Sequence, residues 1–168
     1  MIYFCTMSQI YIYSGPIHSG KTTRLKNWAG KTASVDGVLA PVIEGQRYLK
    51  FISDETLQLL ETDSTDAGIV QQIGKYKFLN SVFQKAQMYL LSLINPTPEW
   101  IVVDEIGYLE MAGKGLEPAV SQIINKLEIV KNVKIVLVIR DTLVEPALKY
   151  YKLDAHSTEV FNPDNKLN

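Results

Sequence analysis

The sequence predicts an α/β fold: a mostly parallel sheet flanked by helices, with a β-hairpin inserted after the second strand. Three observations predict it. A strand-like run, Ile10-Tyr11-Ile12-Tyr13, leads into a glycine-bounded loop and then a helical stretch. Two continuous apolar runs, Trp100-Ile101-Val102-Val103 and Ile135 to Ile139, have the unbroken hydrophobicity of parallel strands buried on both faces. Strand-like and helical stretches alternate along the chain, the pattern of a sheet joined by crossover helices. With 168 residues, 46% of them hydrophobic and 21% charged, the chain is expected to form one domain, 1–168, with a full core.

Met1 to Tyr13 is apolar, but it has no basic n-region and is too short to span a bilayer. Its second half reads as the first strand. Residues 1–6 are expected to be a short N-terminal extension, with Met7 as the natural start. Thr22 to Ala29 reads as the first helix, stopped by Gly30. Val35 to Ile43 is the second strand, interrupted by Gly37 and Pro41. Gln46 to Ser53 and Thr56 to Glu61 form the predicted hairpin around Ser53-Asp54-Glu55. Thr62 to Gly68 is a polar loop, and Lys75 to Leu79 a further short strand.

Asn80 is placed to cap a helix running to about Ile94. Val82, Phe83, Ala86, Tyr89, Leu90 and Leu93 share one face of it at helical spacing, which marks core. Asn95-Pro96-Thr97-Pro98 ends that helix, and the Trp100 run follows, closing on Asp104. Pro118 suits the first turn of the next helix, whose inner face is Ala119, Ile123, Leu127 and Val130. After the Ile135 strand, Asp141 or Thr142 starts a short helix with Pro146 near its first turn. Thr158 to Phe161 is the last strand.

The loop after the first strand carries the chemistry. Gly15-Pro16-Ile17-His18-Ser19-Gly20-Lys21-Thr22-Thr23 fits G-x-x-x-x-G-K-[ST], a phosphate-binding pattern. Gly15 and Gly20 let the backbone approach a phosphate chain closely. Successive N–H groups and the positive end of the helix dipole then face the anion. Lys21 supplies a mobile cation for the β- and γ-phosphates, and the Thr22 hydroxyl a ligand for Mg²⁺. A strand ending in an acid is the usual partner of such a loop, so Asp104 is the second expected Mg²⁺ ligand. Glu105 beside it suits a general base for the attacking water. A further cation should cover the charge of the transition state. Arg140, ending a buried strand, is the first choice, Lys75 the second and Arg47 the third. His18 and Tyr76 shape the site, and His156, with no ligand spacing around it, reads as solvated.

The net charge of −1 and the lack of any basic run give no footprint for nucleic acid, and no membrane partner is expected. Cys5 is the only cysteine, which excludes an internal disulfide and suits a reducing cytoplasm.

Gly15 to Thr23, Gly74-Lys75-Tyr76, Asp104-Glu105-Ile106-Gly107 with Glu110, and Phe161-Asn162-Pro163-Asp164-Asn165 together resemble the small P-loop nucleoside-triphosphatases, also described as nucleotide phosphotransferases or cancer-related nucleoside-triphosphatases. The resemblance runs from Ile10 to Lys166, and Asp-Glu-Ile-Gly is its sharpest marker. It implies Mg²⁺-dependent hydrolysis of ATP, GTP and related triphosphates with broad base tolerance, and contacts of Asn162 and Asn165 with the base. The chain departs from the family at His18, where Gly is usual. It also has Val42 and Glu44 in place of Glu and Arg, and Tyr108 and Lys166 in place of Lys and Arg. Transfer of the phosphoryl group to a nucleotide or small metabolite, or a slow nucleotide-dependent switch, are the alternatives to hydrolysis.

Overall fold

The computed structural model describes residues 9–66, 69–127, 132–154 and 156–164. The expected extension at 1–6, Met7, Gly68, Val130, Asn165, Lys166 and the side chain of Leu127 lie outside these residues. The first strand, β1, spans Gln9–Gly15 and feeds the loop into helix α1, Lys21–Ala29. Strand β2 covers Val35–Leu39 and β3 Val42–Ile43, so the predicted second strand breaks at Ala40-Pro41 and not at Gly37. The hairpin follows as β4, Gln46–Phe51, and β5, Leu57–Leu59, paired antiparallel.

A second hairpin, β6 (Val70–Ile73) with β7 (Tyr76–Leu79), forms its own two-stranded sheet, bridged to the chain after β5 where Glu61 pairs with Phe78, and precedes α2, Asn80–Ser92. Then come β8 (Trp100–Ile106), α3 (Tyr108–Met111) and α4 (Ala119–Leu127). The last elements are β9 (Lys134–Arg140), a 3-10 turn over Asp141–Leu143, α5 (Val144–Tyr150) and β10 (Thr158–Val160). Among the described residues no helix is long and apolar enough to cross a membrane.

Strand order across the main sheet is β10-β1-β9-β8-β2-β4-β3, with β5 pairing β4. The five strands from β10 to β2 are parallel, and the hairpin strands are antiparallel. The period-2 alternation of the strands divides the core into two layers. Ile10, Ile12, Ile101, Val103, Ile135, Leu137 and Ile139 face α2, α4 and α5. Tyr11, Tyr13, Val102, Val136 and Val138 face α1 through Leu25 and Trp28. That second layer is aromatic: Trp28 meets Trp100 and Phe161 edge-on, with ring centroids 5.1 and 4.9 Å apart.

Asn80 is the first residue of α2 and does not cap it: Leu79 holds the cap position without a side-chain bond, and Asn80 Oδ1 accepts from Gln71 Nε2. Pro118 lies just before α4 and not in its first turn. Tyr89, placed in the core stripe of α2, packs edge-on against Phe51 but is only half-buried. Its hydroxyl reaches Asp36 and Ser53, and burial with the Asp36 contact pushes the phenol up to about 12.

Gly37 lies directly opposite Val102 of β8 at φ +130°, and a Cβ there would sit 2.0 Å from the Val102 carbonyl oxygen. Gly37→Ala must therefore push apart the strands that carry the candidate site. It should cost about 3 kcal/mol or more and lower the melting temperature by many degrees. A thermal scan checks this, and an unchanged midpoint would mean that β2 and β8 do not pack this closely.

Candidate functional site

All the parallel strands deliver their carboxyl ends to one edge, the place where open α/β sheets bind ligands. There β1 hands over to the loop Pro16–Gly20, all of it exposed. His18 at φ +61° and Gly20 at φ +80° take left-handed conformations, which turn the loop back onto the start of α1. His18 thus holds a glycine-like conformation with a side chain, at a modest backbone cost. The Ser19 N–H closes the loop onto the Pro16 carbonyl at 3.3 Å. No acidic residue sits in the first turn of α1, so no carboxylate competes for its N–H groups.

Lys21 curls over this loop. Its Nζ donates to the Gly15 and Pro16 carbonyls, each at 2.7 Å, and to Ser19 Oγ at 3.3 Å. Thr22 turns the other way, across the sheet edge: its hydroxyl donates to Asp104 Oδ2 at 2.8 Å. The same oxygen accepts the Ala40 N–H at 3.0 Å, which anchors the acid to the end of β2. Asp104 is only 3% exposed. Burial pushes its carboxyl above the ordinary carboxylate range, opposed by the Ala40 and Thr22 hydrogen bonds and by the charges of Arg47 and Lys21.

Glu105 owes its position to a bulge. Between Val103 and Ile106 the β8–β9 ladder gains a residue on the β8 side, and Glu105 takes φ +74° there. A non-glycine residue in that region is strained, and strain of this kind gathers at functional sites. The twist of the bulge brings the Glu105 carboxylate to the same cavity as Asp104, where it pairs with the Arg47 guanidinium of β4. The rest of the motif is structural. Glu110, buried, accepts the Gly107 N–H at 2.9 Å and the Leu116 N–H at 3.0 Å, pinning the turn after β8.

A cavity of 290 Å³ unites these groups: Gly15, Ile17, His18, Ser19 and Gly20 to Thr23 on one side, Asp104 and Glu105 on the other, with Val42, Arg47 and Arg140 between. Pro16 takes part through its carbonyl alone. Arg140 ends β9, whose register sets it beside Gly15, and its guanidinium lies 5.4 Å from the Tyr108 ring centroid. Lys75 does not reach this cavity; its Nζ sits over the Tyr76 ring at 5.3 Å. Arg47, ranked third from the sequence, is therefore nearer to the acids than Lys75. Ala40, whose N–H holds Asp104, was not foreseen. Asn162 lies past β10, with Oδ1 accepting the Asp164 N–H.

The donor set fits Mg²⁺. A carboxylate and a hydroxyl 2.8 Å apart are hard oxygen ligands, and among the described residues no three His, Cys, Asp or Glu side chains converge to cage a metal. Mg²⁺ is commonly held this way, by one or two protein oxygens with waters and substrate phosphates.

Two solved structures share the fold. One is THEP1 from the hyperthermophile Aquifex aeolicus, with TM-score 0.69 and 19% identity over 94% of this chain and 92% of that one. The other is a human cancer-related nucleoside triphosphatase, with TM-score 0.65 and 18% identity over 92% and 88%. No curated protein matched the sequence. The NTPase family model matches residues 10–166, so the chain, with its phosphate loop and acid-ended strand on one cavity, belongs to the NTPase family.

Proposed function

We propose that the protein hydrolyses the γ-phosphate of ATP, GTP and related triphosphates, with Mg²⁺ as cofactor and little discrimination between bases. The observation that carries this reading is the Thr22–Asp104 hydrogen bond, which joins the phosphate loop to the acid pair around one cavity. We read the chain as one catalytic domain, 1–168, working in the cytoplasm.

In this reading the amides of the loop and the start of α1 hold the phosphate chain. Lys21 leaves the Gly15 and Pro16 carbonyls for the β- and γ-phosphate oxygens. Thr22 and Asp104 hold Mg²⁺, which when bound neutralises charge on those oxygens. Glu105 accepts the proton of the attacking water, aimed by the bulge. Arg140 remains the first candidate for the cation on the γ-phosphoryl group, supported by its place at the cavity rim. Arg47 is the second, and it must release Glu105 to serve. The negative charge of an arriving γ-phosphate supplies a competing partner for it.

Phosphate release from ATP and GTP, with and without Mg²⁺, tests the reading. Metal-dependent release from both is expected, and no release from either would overturn it. The pH dependence carries a sign. A proton and Mg²⁺ compete for the Asp104 carboxylate, and burial raises its affinity for the proton. Mg²⁺-dependent ATP binding should therefore weaken as pH falls, and should begin to do so at a higher pH than for an ordinary carboxylate. Mg²⁺ titrations at a series of falling pH values check it.

A further inference from the structure

A second cavity, of 330 Å³, opens from the first. Seven residues border both, among them Asp104, Glu105, Arg47, Arg140 and, from the phosphate loop, Ile17 and His18. Beyond them the character of the walls changes. Leu49 comes from β4, Leu60 follows β5, Ile73 and Phe78 come from the β6–β7 hairpin, Phe83 from α2, and Leu116 lies just before α4. At the rim stand two exposed aromatic rings, Tyr76 and Tyr108, each with a cation against it: Lys75 at 5.3 Å and Arg140 at 5.4 Å.

The position of this cavity relative to a triphosphate follows from the loop. In the proposed reading Lys21 addresses the β- and γ-phosphates and Thr22 with Asp104 would hold the Mg²⁺, so the γ end points toward the acid pair. Strands β8, β2 and β4 lie on that side of β1, and β10 on the other. The second cavity is thus past the γ-phosphate, where a nucleophile must stand for in-line displacement. A water needs neither apolar walls nor this volume, since its share of liquid is about 30 Å³. Small-molecule sites begin at about 300 Å³ and are lined as this one is: mostly apolar, with a few polar groups.

We propose that this cavity binds a second small molecule, an apolar body bearing a hydroxyl, which takes the γ-phosphoryl group in place of water. The proposal rests on the triphosphate reading of the first cavity. The hydroxyl oxygen forms a bond to the γ-phosphorus as the bond to the β,γ-bridging oxygen breaks. The nucleoside diphosphate leaves with that electron pair, and the hydroxyl proton passes to the Glu105 carboxylate. Lys75 at the rim, which lines this cavity and not the first, favours a carboxylate on the far end of the acceptor. With the cavity empty, water enters and the reaction is hydrolysis.

Benzyl alcohol and 4-(hydroxymethyl)benzoate serve as probes, read by saturation-transfer NMR on the full chain. Both should bind with Kd of about 1–10 mM, the carboxylate more tightly. Lys21→Ala should bind them equally well, because no loop atom of Lys21 borders this cavity. Ile73→Trp fills it from a half-buried edge and should weaken both by on the order of tenfold. Lys75→Ala, at an exposed position that folding tolerates, should weaken the benzoate severalfold by removing the cation that faces its carboxylate.

With ATP and Mg²⁺, ³¹P NMR should show a phosphate monoester of the probe beside inorganic phosphate. Folded protein that binds neither probe overturns the proposal, as does bound probe with inorganic phosphate as the sole product. Bound probe with no phosphate product of either kind overturns the triphosphatase reading, and the acceptor role with it.

Discussion

Lys21→Ala should weaken nucleoside-triphosphate binding by about 10²–10⁴-fold, while leaving the fold intact. Among the described residues the Lys21 ammonium is satisfied only by atoms of its own loop: two carbonyls at 2.7 Å and Ser19 Oγ at 3.3 Å. No core residue depends on it, so removing it frees the half-buried Gly15 and exposed Pro16 carbonyls to water and costs little stability. For a bound triphosphate the loss is larger. Each charge-assisted hydrogen bond from Lys21 to a phosphate oxygen contributes about 1.5–3 kcal/mol. Two of them correspond to a fall of about 10²–10⁴-fold in affinity. Lys21→Arg should not rescue it, since a planar fork cannot follow a point charge into the space over Gly15. Titration calorimetry with ATP and Mg²⁺, beside a thermal scan, reads both halves of the expectation. ATP affinity within threefold of wild type would remove Lys21 from the phosphate site.

How much of this was legible in the residues? The phosphate loop and the acid-ended strand were, because both are local: a motif on a strand–helix junction, and an apolar run stopped by Asp104. The two-layer core was legible for the same reason, from unbroken hydrophobicity in Trp100 to Val103 and Ile135 to Ile139. Strand β6 was not, since Val70-Gln71-Gln72-Ile73 is half polar and stands as a strand only because β7 pairs with it. Asn80 was a plausible cap by composition, but its side chain found Gln71, a partner 9 residues away in sequence.

Arg47 had a readable signal that its ranking underused. It alternates with Leu49 and Phe51 along β4, both nearly fully buried, so the strand's inner face carries it toward the sheet edge where Asp104 lies. The left-handed turn at Glu105 had none. A bulge depends on register against β9, which no local pattern in Asp104-Glu105-Ile106 reveals. Glu110 shows the opposite case: a motif acid whose carboxylate is spent on two backbone N–H groups, and which burial pushes toward the neutral form.

Glu105→Gln should keep ATP binding and lose turnover by about 10²–10⁴-fold. Glutamine has the same shape and tolerates the same left-handed backbone no better, so the bulge and the direction of the side chain persist. What it lacks is the capacity to take a proton from water. It also cannot form the ion pair with Arg47, which leaves that guanidinium free for a phosphate. Binding of ATP should accordingly be unchanged or tighter, the reverse of what a merely damaged site would give. A companion variant separates chemistry from strain. Glu105→Gly relieves the φ +74° backbone and removes the base together, so it should be as inactive as the glutamine variant. Relief of strain should raise its stability by about 1 kcal/mol, less whatever the Arg47 pair contributed. Single-turnover phosphate release and thermal midpoints for the two variants decide the matter. Wild-type turnover in Glu105→Gln would mean that the bulge aims a side chain with no part in proton transfer, and the base would have to be sought elsewhere on the cavity wall.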